Sequence, residues 1–203
     1  MIDAASLMTL QAYSLHRHEH RRKLAAHRRQ RTLSLGPQMR LQFEDELTVR
    51  HQIQEVLWMD RRADDADAVG EEIATYAHLV PDGGQWTATL MIELPDAAER
   101  QYWMPILNEA VQEVYVELPG HARVAASVND DLPCQHRGRD SGVHFLRFRF
   151  DTGHRERLQR DGEALLGCTH HRYHWRRTIP RGTLASLLRD LVQPRPAPRP
   201  CPP

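Results

Sequence analysis

Two kinds of hydrophobic pattern divide the chain, and the change falls close to residue 85. Before that point apolar residues recur mostly at helical spacing, which predicts helices over residues 4–31, 46–62 and 68–77. Between the first two helices, residues 32–35 and 39–43 alternate around Gly36-Pro37, and this predicts a hairpin. Asp45 stands at the expected N-cap of the helix that follows.

The second part of the chain mixes strands with helices. Strands are predicted over residues 86–94, 111–118, 121–128, 143–150 and 164–168, and helices over 96–110, 154–160 and 182–191. Antiparallel hairpins packed with several helices predict an α+β fold with a mainly antiparallel sheet. We expect a single domain over residues 1–192, followed by a disordered Pro/Arg-rich tail over 193–203.

The composition is that of a globular protein, with 40% hydrophobic and 27% charged residues. The 27 basic and 27 acidic side chains cancel, so no global positive field favours nucleic acid or an anionic membrane as a partner. No apolar run is long enough to predict a membrane span, and residues 1–20 do not resemble a signal peptide. Three cysteines are too few for a disulfide framework, so we expect a cytoplasmic protein.

Basic residues crowd the first predicted helix over residues 17–31, a segment that overlaps the alternating His16, His18 and His20. We expect a solvated helix face, and the alternative is a local phosphate-binding patch without the aromatic residues that stack on bases.

Two of the cysteines differ in their expected reactivity. Cys168 is expected inside a strand and inert, whereas Cys134, on a polar loop, is the better redox candidate.

The helix after Asp45 carries the most informative pattern. Its apolar face is formed by Val49, Ile53 and Leu57, and the polar residues Thr48, Gln52 and Glu55 share another face. One interpretation is a pocket wall in which Glu55 is a metal ligand or a catalytic base, with Glu44, Thr48 and Gln52 as pocket or supporting residues. The other interpretation is a hydrogen-bonded network that holds the helix against the sheet.

Several strings along the chain match one family pattern in order. They are Phe43-Glu44-Asp45, Gln52-Ile53-Gln54-Glu55, Leu79-Val80-Pro81-Asp82-Gly83, Ala88-Thr89-Leu90-Met91-Ile92-Glu93, Pro95-Asp96 and Ser141-Gly142-Val143-His144-Phe145-Leu146-Arg147-Phe148. Together they resemble the bacterial domain of unknown function 3501, over residues 5–192. His51 and Thr169 depart from that pattern, which usually has an aromatic and an acidic residue there.

The resemblance implies no established activity. Members of this family tend to be encoded beside rubrerythrin-like proteins and iron–sulfur oxidoreductase subunits. That association implies a redox or oxidative-stress setting and a protein partner of this kind, without implying a mechanism.

A mixed set of imidazole and carboxylate groups is the second candidate site. If strand ends converge, Glu55, Glu93, His144 and His170 would together suit iron, manganese or zinc. Their sequence separations carry no ligand-spacing signature, and a lone histidine such as His144 on an apolar strand face is commonly a core residue.

Two functions follow from these patterns. The first is a non-enzymatic accessory or binding protein in a bacterial redox system, in contact with a rubrerythrin-like or iron–sulfur partner. The alternative is a metal-dependent enzyme or metal carrier that uses the His/carboxylate set. The sequence leaves the choice between an enzyme and a non-enzyme open.

Overall fold

A computed structural model of the protein describes residues 2–128 and 141–191. Its α-helices are α1 (Leu10–Arg29), α2 (Glu46–Met59), α3 (Ala66–Tyr76), α4 (Ala97–Val111), α5 (Thr152–Asp161) and α6 (Arg181–Leu188). Its strands are β1 (Thr32–Leu35), β2 (Met39–Phe43), β3 (Gln85–Ile92), β4 (Val114–Glu117), β5 (Val124–Ala125), β6 (Ser127–Val128), β7 (Val143–Arg149), β8 (Leu165–Cys168) and β9 (Trp175–Thr178). Short 3-10 helices cover Ala4–Ser6, Ala77–Leu79 and Arg189–Leu191.

The strands form two antiparallel sheets. The large sheet has five strands in the order β1-β2-β3-β7-β6, and the small sheet has four in the order β5-β4-β8-β9. The predicted α+β class is therefore confirmed. The strands form two antiparallel sheets, where the sequence predicted one. No helix among the described residues has the length and apolar character that crossing a membrane requires.

Each face of the large sheet packs against a different part of the molecule. On its core face, strand residues such as Leu90 and Phe148 pack with the small sheet, α4 and α6 in one apolar cluster. On the opposite face, Phe145 packs against a smaller cluster that contains Val49, Ile53 and Leu57 of α2. We call this second side the helix face. The alternation of side chains along each strand assigns neighbouring residues to opposite faces.

Helix α2 begins where the sequence predicts. The Asp45 carboxylate accepts a hydrogen bond from the Thr48 backbone N–H at 2.9 Å, and the Thr48 hydroxyl accepts one from the Asp45 N–H at 2.9 Å. This reciprocal capping box satisfies two amide groups that a helix start otherwise leaves unpaired. It places Glu44 and Thr48 beside the helix face of the large sheet.

The secondary structure differs from the sequence-based prediction at three places. The strand predicted over 121–128 divides, because β5 pairs with β4 in the small sheet while β6 pairs with β7 in the large sheet. Strand β9 was not predicted, since all four of its residues are exposed and show no apolar alternation. The first helix starts at Leu10, where the Thr9 hydroxyl caps it. Cys134 and the predicted tail lie outside the described residues.

Candidate functional site

A cavity of about 370 Å³ lies between α2 and the helix face of the large sheet. Its polar lining comes from α1, β2 and the residue after it, α2 and β3, and includes Arg28, Gln42, Glu44, Gln52 and Thr89. Its apolar lining includes Val49, Leu79, Met91 and Phe145. The volume and the mixed lining are those of a small-molecule site.

Glu44 is the buried acid of this cavity, with 8% of its surface exposed. Its carboxylate Oε1 accepts a hydrogen bond from the Thr89 hydroxyl at 2.7 Å. Burial raises the pKa of Glu44, while hydrogen bonds from Thr48 and Thr89 and the charge of Arg28 oppose this effect without cancelling it. The carboxyl group therefore keeps its proton to higher pH than an exposed glutamate does, and in that form it can donate a hydrogen bond.

Arg28 supplies the positive charge. Its Nε is buried and has no hydrogen-bond partner among the described residues, and its guanidinium forms no ion pair with any of them. The charge is close enough to Glu44 to affect the pKa of that carboxyl, yet the two groups are not in contact. Since Arg28 lines the cavity without an ion-pair partner among the described residues, its guanidinium can donate to an anion bound there.

Two of the predicted pocket residues line this cavity: Gln52 from the polar row on α2, and Glu44, which precedes that helix. Thr48 is fully buried and lies directly behind Glu44, in the capping box. Gln52 is exposed at the mouth of the cavity. Glu55 is not part of the cavity lining, although it shares the polar row, because α1 crosses α2 at its turn of the helix.

Glu55 instead joins α2 to α1. Its carboxylate accepts hydrogen bonds from the Tyr13 hydroxyl at 2.6 Å and from Arg17 Nε and Nη2 at 3.0 and 2.7 Å. Burial would raise the pKa of Glu55, but the hydrogen bonds from Arg17 and Tyr13 outweigh it and the pKa lies below its ordinary value. The network predicted to hold α2 against the sheet is, at this residue, a contact between two helices.

The structure does not bring the four predicted metal ligands to a common hollow. Glu93 pairs with Arg40 at 2.7 Å, His144 Nε2 is 3.0 Å from the Ser141 carbonyl, and His170 Nε2 is 3.7 Å from Glu109. Pairing of Leu90 with His144 places His144 on the core face, and alternation along the chain places Glu93 on the helix side. Across residues 2–128 and 141–191, no three His, Cys, Asp or Glu side chains form a group suited to a metal ion.

Sequence reasoning missed Arg28 and Thr89. Arg28 was included in the basic segment expected to be a solvated helix face. The signal that separates it from its neighbours is spacing, because it lies one turn after Leu24, a buried residue of α1. Thr89 is a polar residue inside a strand whose alternate positions are apolar, and such a residue faces a different environment from its neighbours.

The two antiparallel sheets define an α+β protein, with a cavity between α2 and the large sheet. A family model described as "Protein of unknown function (DUF3501)" matches residues 1–191, and the chain belongs to this family, as the sequence resemblance predicts. The chain is also similar to a crystal structure from Burkholderia pseudomallei K96243, described as a novel protein of unknown function. The two are 34% identical with a TM-score of 0.89, over 94% of this chain and 98% of that chain. No curated protein sequence matches the chain.

Proposed function

We propose that this protein is a non-enzymatic binding protein that holds a small organic carboxylate in the cavity lined by Arg28 and Glu44. The observation that carries the proposal is the guanidinium of Arg28, which lines the same cavity as a buried acid and forms no ion pair with the described residues.

The chemistry of the two groups selects a monoanion. The guanidinium donates in a planar fork that matches the two oxygens of a carboxylate. Glu44 in its protonated form donates a further hydrogen bond, which an uncharged acceptor or an anion can receive. A second negative charge on the ligand would lie beside the carboxyl group of Glu44, where burial disfavours anionic charge, and a cation would meet Arg28. A single negative charge therefore fits both groups.

The apolar lining determines the rest of the ligand. Leu79, Met91 and Phe145 offer hydrocarbon surface on the side away from the polar groups. A short alkyl or aryl body would bury its surface there, which contributes about 25 cal/mol per Å² of apolar area. The ligand class is thus a carboxylate with a compact apolar body.

Isothermal titration with hexanoate and its uncharged match, hexanamide, tests this proposal. We expect hexanoate to bind more tightly than hexanamide to the wild-type chain. Arg28→Gln should weaken hexanoate binding by about tenfold or more, because a hydrogen bond to a charged group is lost. The matched control is Arg29→Gln, which removes the same charge from the neighbouring exposed residue of α1.

Two results would overturn the proposal. One is equal affinity of the wild-type chain for hexanoate and hexanamide, including binding of neither. The other is an Arg28→Gln variant that binds hexanoate as tightly as Arg29→Gln does. Each result separates a real carboxylate site from an unoccupied gap between α2 and the sheet.

We further propose that the binding protein serves a bacterial redox system as an accessory, in contact with a rubrerythrin-like or iron–sulfur protein. The support for this partner is the gene neighbourhood that the family resemblance implies. Affinity purification of the tagged chain from its native host should recover such a protein in a stable complex. Repeated recovery of the chain without any iron protein would count strongly against the accessory role.

A further inference from the structure

Glu44 and Arg28 line the same cavity but form no ion pair with each other. Only 8% of Glu44 is exposed, and its carboxylate Oε1 accepts a hydrogen bond from the Thr89 hydroxyl at 2.7 Å. The positive charge of Arg28 acts on this carboxyl group across the cavity and favours its ionised form. Any anion that pairs with Arg28 therefore changes the protonation equilibrium of Glu44.

The other charged groups close to Glu44 are paired with one another. The carboxylate of Asp45 lies 2.6 Å from His27 Nε2 and 3.5 Å from Arg31 Nε. Arg31 is buried, donates to the Glu44 backbone carbonyl at 2.9 Å and forms an ion pair with Asp190. The remaining elements around the cavity contribute amide, hydroxyl, phenol and apolar side chains, namely Gln42 of β2, Gln52 of α2, Tyr76 of α3, Thr89 of β3 and Phe145 of β7. Arg28 is thus the charge through which a ligand acts on Glu44.

A bound carboxylate would change this balance in two ways. It pairs with Arg28 and so offsets the charge that favours ionised Glu44. It also adds a negative charge inside the cavity, and two carboxylates that share a buried site favour a state in which one of them takes up a proton. Both effects favour the protonated form of Glu44, in which the carboxyl group can donate a hydrogen bond to the ligand.

We infer, on the basis of the proposed function, that the cavity takes up a proton at Glu44 together with each carboxylate that it binds. The proton comes from solvent, so the two events together add no net charge to a buried space. The site consequently holds its ligand most tightly at acid pH and releases it as the pH rises. Burial already raises the pKa of Glu44 in the free protein, which moves this release above the pH range in which an exposed glutamate titrates.

Isothermal titration with hexanoate between pH 6 and pH 9 tests the inference, because hexanoate, like an exposed glutamate, stays ionised throughout this range. Titrations at each pH in two buffers of different ionisation enthalpy count the protons taken up per ligand. We expect this count to rise toward about one as the pH passes through the titration of Glu44, while the affinity falls by up to about tenfold per pH unit.

Glu44→Gln removes the titrating group and keeps a hydrogen-bond donor at the same position. Its affinity for hexanoate should vary by less than about twofold from pH 6 to pH 9, and its binding should take up no proton. The matched control is Glu99→Gln, the same change at an exposed residue of α4, which should keep the pH dependence of the wild-type chain.

Thr89→Val provides a second test if Glu44→Gln folds poorly. The Thr89 hydroxyl donates to Glu44 Oε1 and favours the ionised form, so without it the carboxyl group should keep its proton to higher pH. We expect the fall in hexanoate affinity to move by about one pH unit toward alkaline pH. Thr75→Val, at an exposed residue of α3, should leave the fall where it is in the wild-type chain.

Hexanoate binding that depends on Arg28 but takes up no proton between pH 6 and pH 9 would overturn this inference and leave the proposed function standing. Proton uptake of equal size in Glu44→Gln would also overturn it, because another group would then be titrating. Failure of hexanoate to bind, or binding that Arg28→Gln does not weaken, would refute the proposed function and the inference with it.

Discussion

The two faces of the large sheet differ in what they bury. On the core face, Trp86, Leu90 and Phe148 are almost completely enclosed among other apolar groups. On the helix face, polar groups are buried, Gln42 of β2, Thr87 of β3 and Glu44 just after β2, and the cavity with Arg28 lies there. Burying polar groups costs free energy unless they are paired, so we assign stability mainly to the core face and, under the proposed function, recognition to the helix face.

The largest effect that we expect comes from the core face. Phe148→Ala removes a fully buried aromatic ring and should lower the free energy of unfolding by about 3–5 kcal/mol. The matched change on the same strand, Phe145→Ala on the helix face, should cost only about 1–2 kcal/mol, because that ring is partly exposed beside the cavity. Urea denaturation of the two variants measures the difference, and equal losses would contradict the division between the faces.

The second largest effect that we expect is the pH dependence that the buried imidazole of His51 gives to the stability. The pKa of His51 is lowered to about 4 by burial, from an ordinary value of 6.5. The folded state therefore resists protonation, and the stability contributed by the neutral imidazole is fully present above pH 6.5 and is lost as the pH falls toward 4. The loss integrates to about 3 kcal/mol.

The His51→Phe variant isolates this contribution. The difference in unfolding free energy between the wild-type chain and the variant should change by about 3 kcal/mol from pH 7 to pH 4, measured by urea denaturation. His18→Phe, at an exposed residue, should leave the pH profile unchanged. A profile of His51→Phe that runs parallel to that of the wild-type chain would show that the imidazole is not held neutral.

Glu44 should make the stability depend on pH in the opposite direction to His51. Burial raises its pKa, so the folded state favours the protonated form, and stability falls as the pH rises through the raised pKa. Glu44→Gln keeps the shape and a hydrogen-bonding group but carries no charge. We therefore expect Glu44→Gln to unfold at higher urea concentration than the wild-type chain at pH 8, with the gain disappearing at pH 4. A gain of the same size at both pH values would rule out titration of Glu44 as the cause.

The sequence predicted those parts of the fold that depend on local pattern. The alternation of Phe148 and Phe145 along β7 and the cap at Asp45 are both read from neighbouring residues, and both are present. The metal set required knowledge of register, since the pairing of β3 with β7 decides that Glu93 and His144 face opposite sides of the sheet. Local pattern does not contain that information.

Local sequence pattern likewise predicts only part of the candidate site. Gln52, from the polar row on α2, and Glu44, just before that helix, were predicted as pocket residues, and both line the cavity. Arg28 was not distinguished from the other basic residues of its helix, because only the packing of α1 against α2 turns it inward. One interpretation of the sequence placed Glu55 in a pocket wall and the other in a structural hydrogen-bonded network, and that same packing places it against Arg17. Tertiary contacts between helices therefore decide which polar residues meet.

The smallest effect concerns two neighbouring amides on α2 that the sequence alone does not distinguish. Gln54 is buried, and its side chain exchanges two hydrogen bonds with the Met8 backbone, at 2.7 and 3.0 Å. Gln52 is exposed at the mouth of the carboxylate cavity. Gln54→Ala leaves two backbone groups unpaired and should cost about 1–3 kcal/mol of stability, whereas Gln52→Ala should change stability by less than about 0.5 kcal/mol.

If Gln52 contributes to recognition, its loss should appear in hexanoate affinity and not in the denaturation midpoint. A Gln52→Ala variant as unstable as Gln54→Ala would mean that the mouth of the cavity is part of the structural core, and the assignment of recognition to the helix face would have to be narrowed to Arg28 and Glu44.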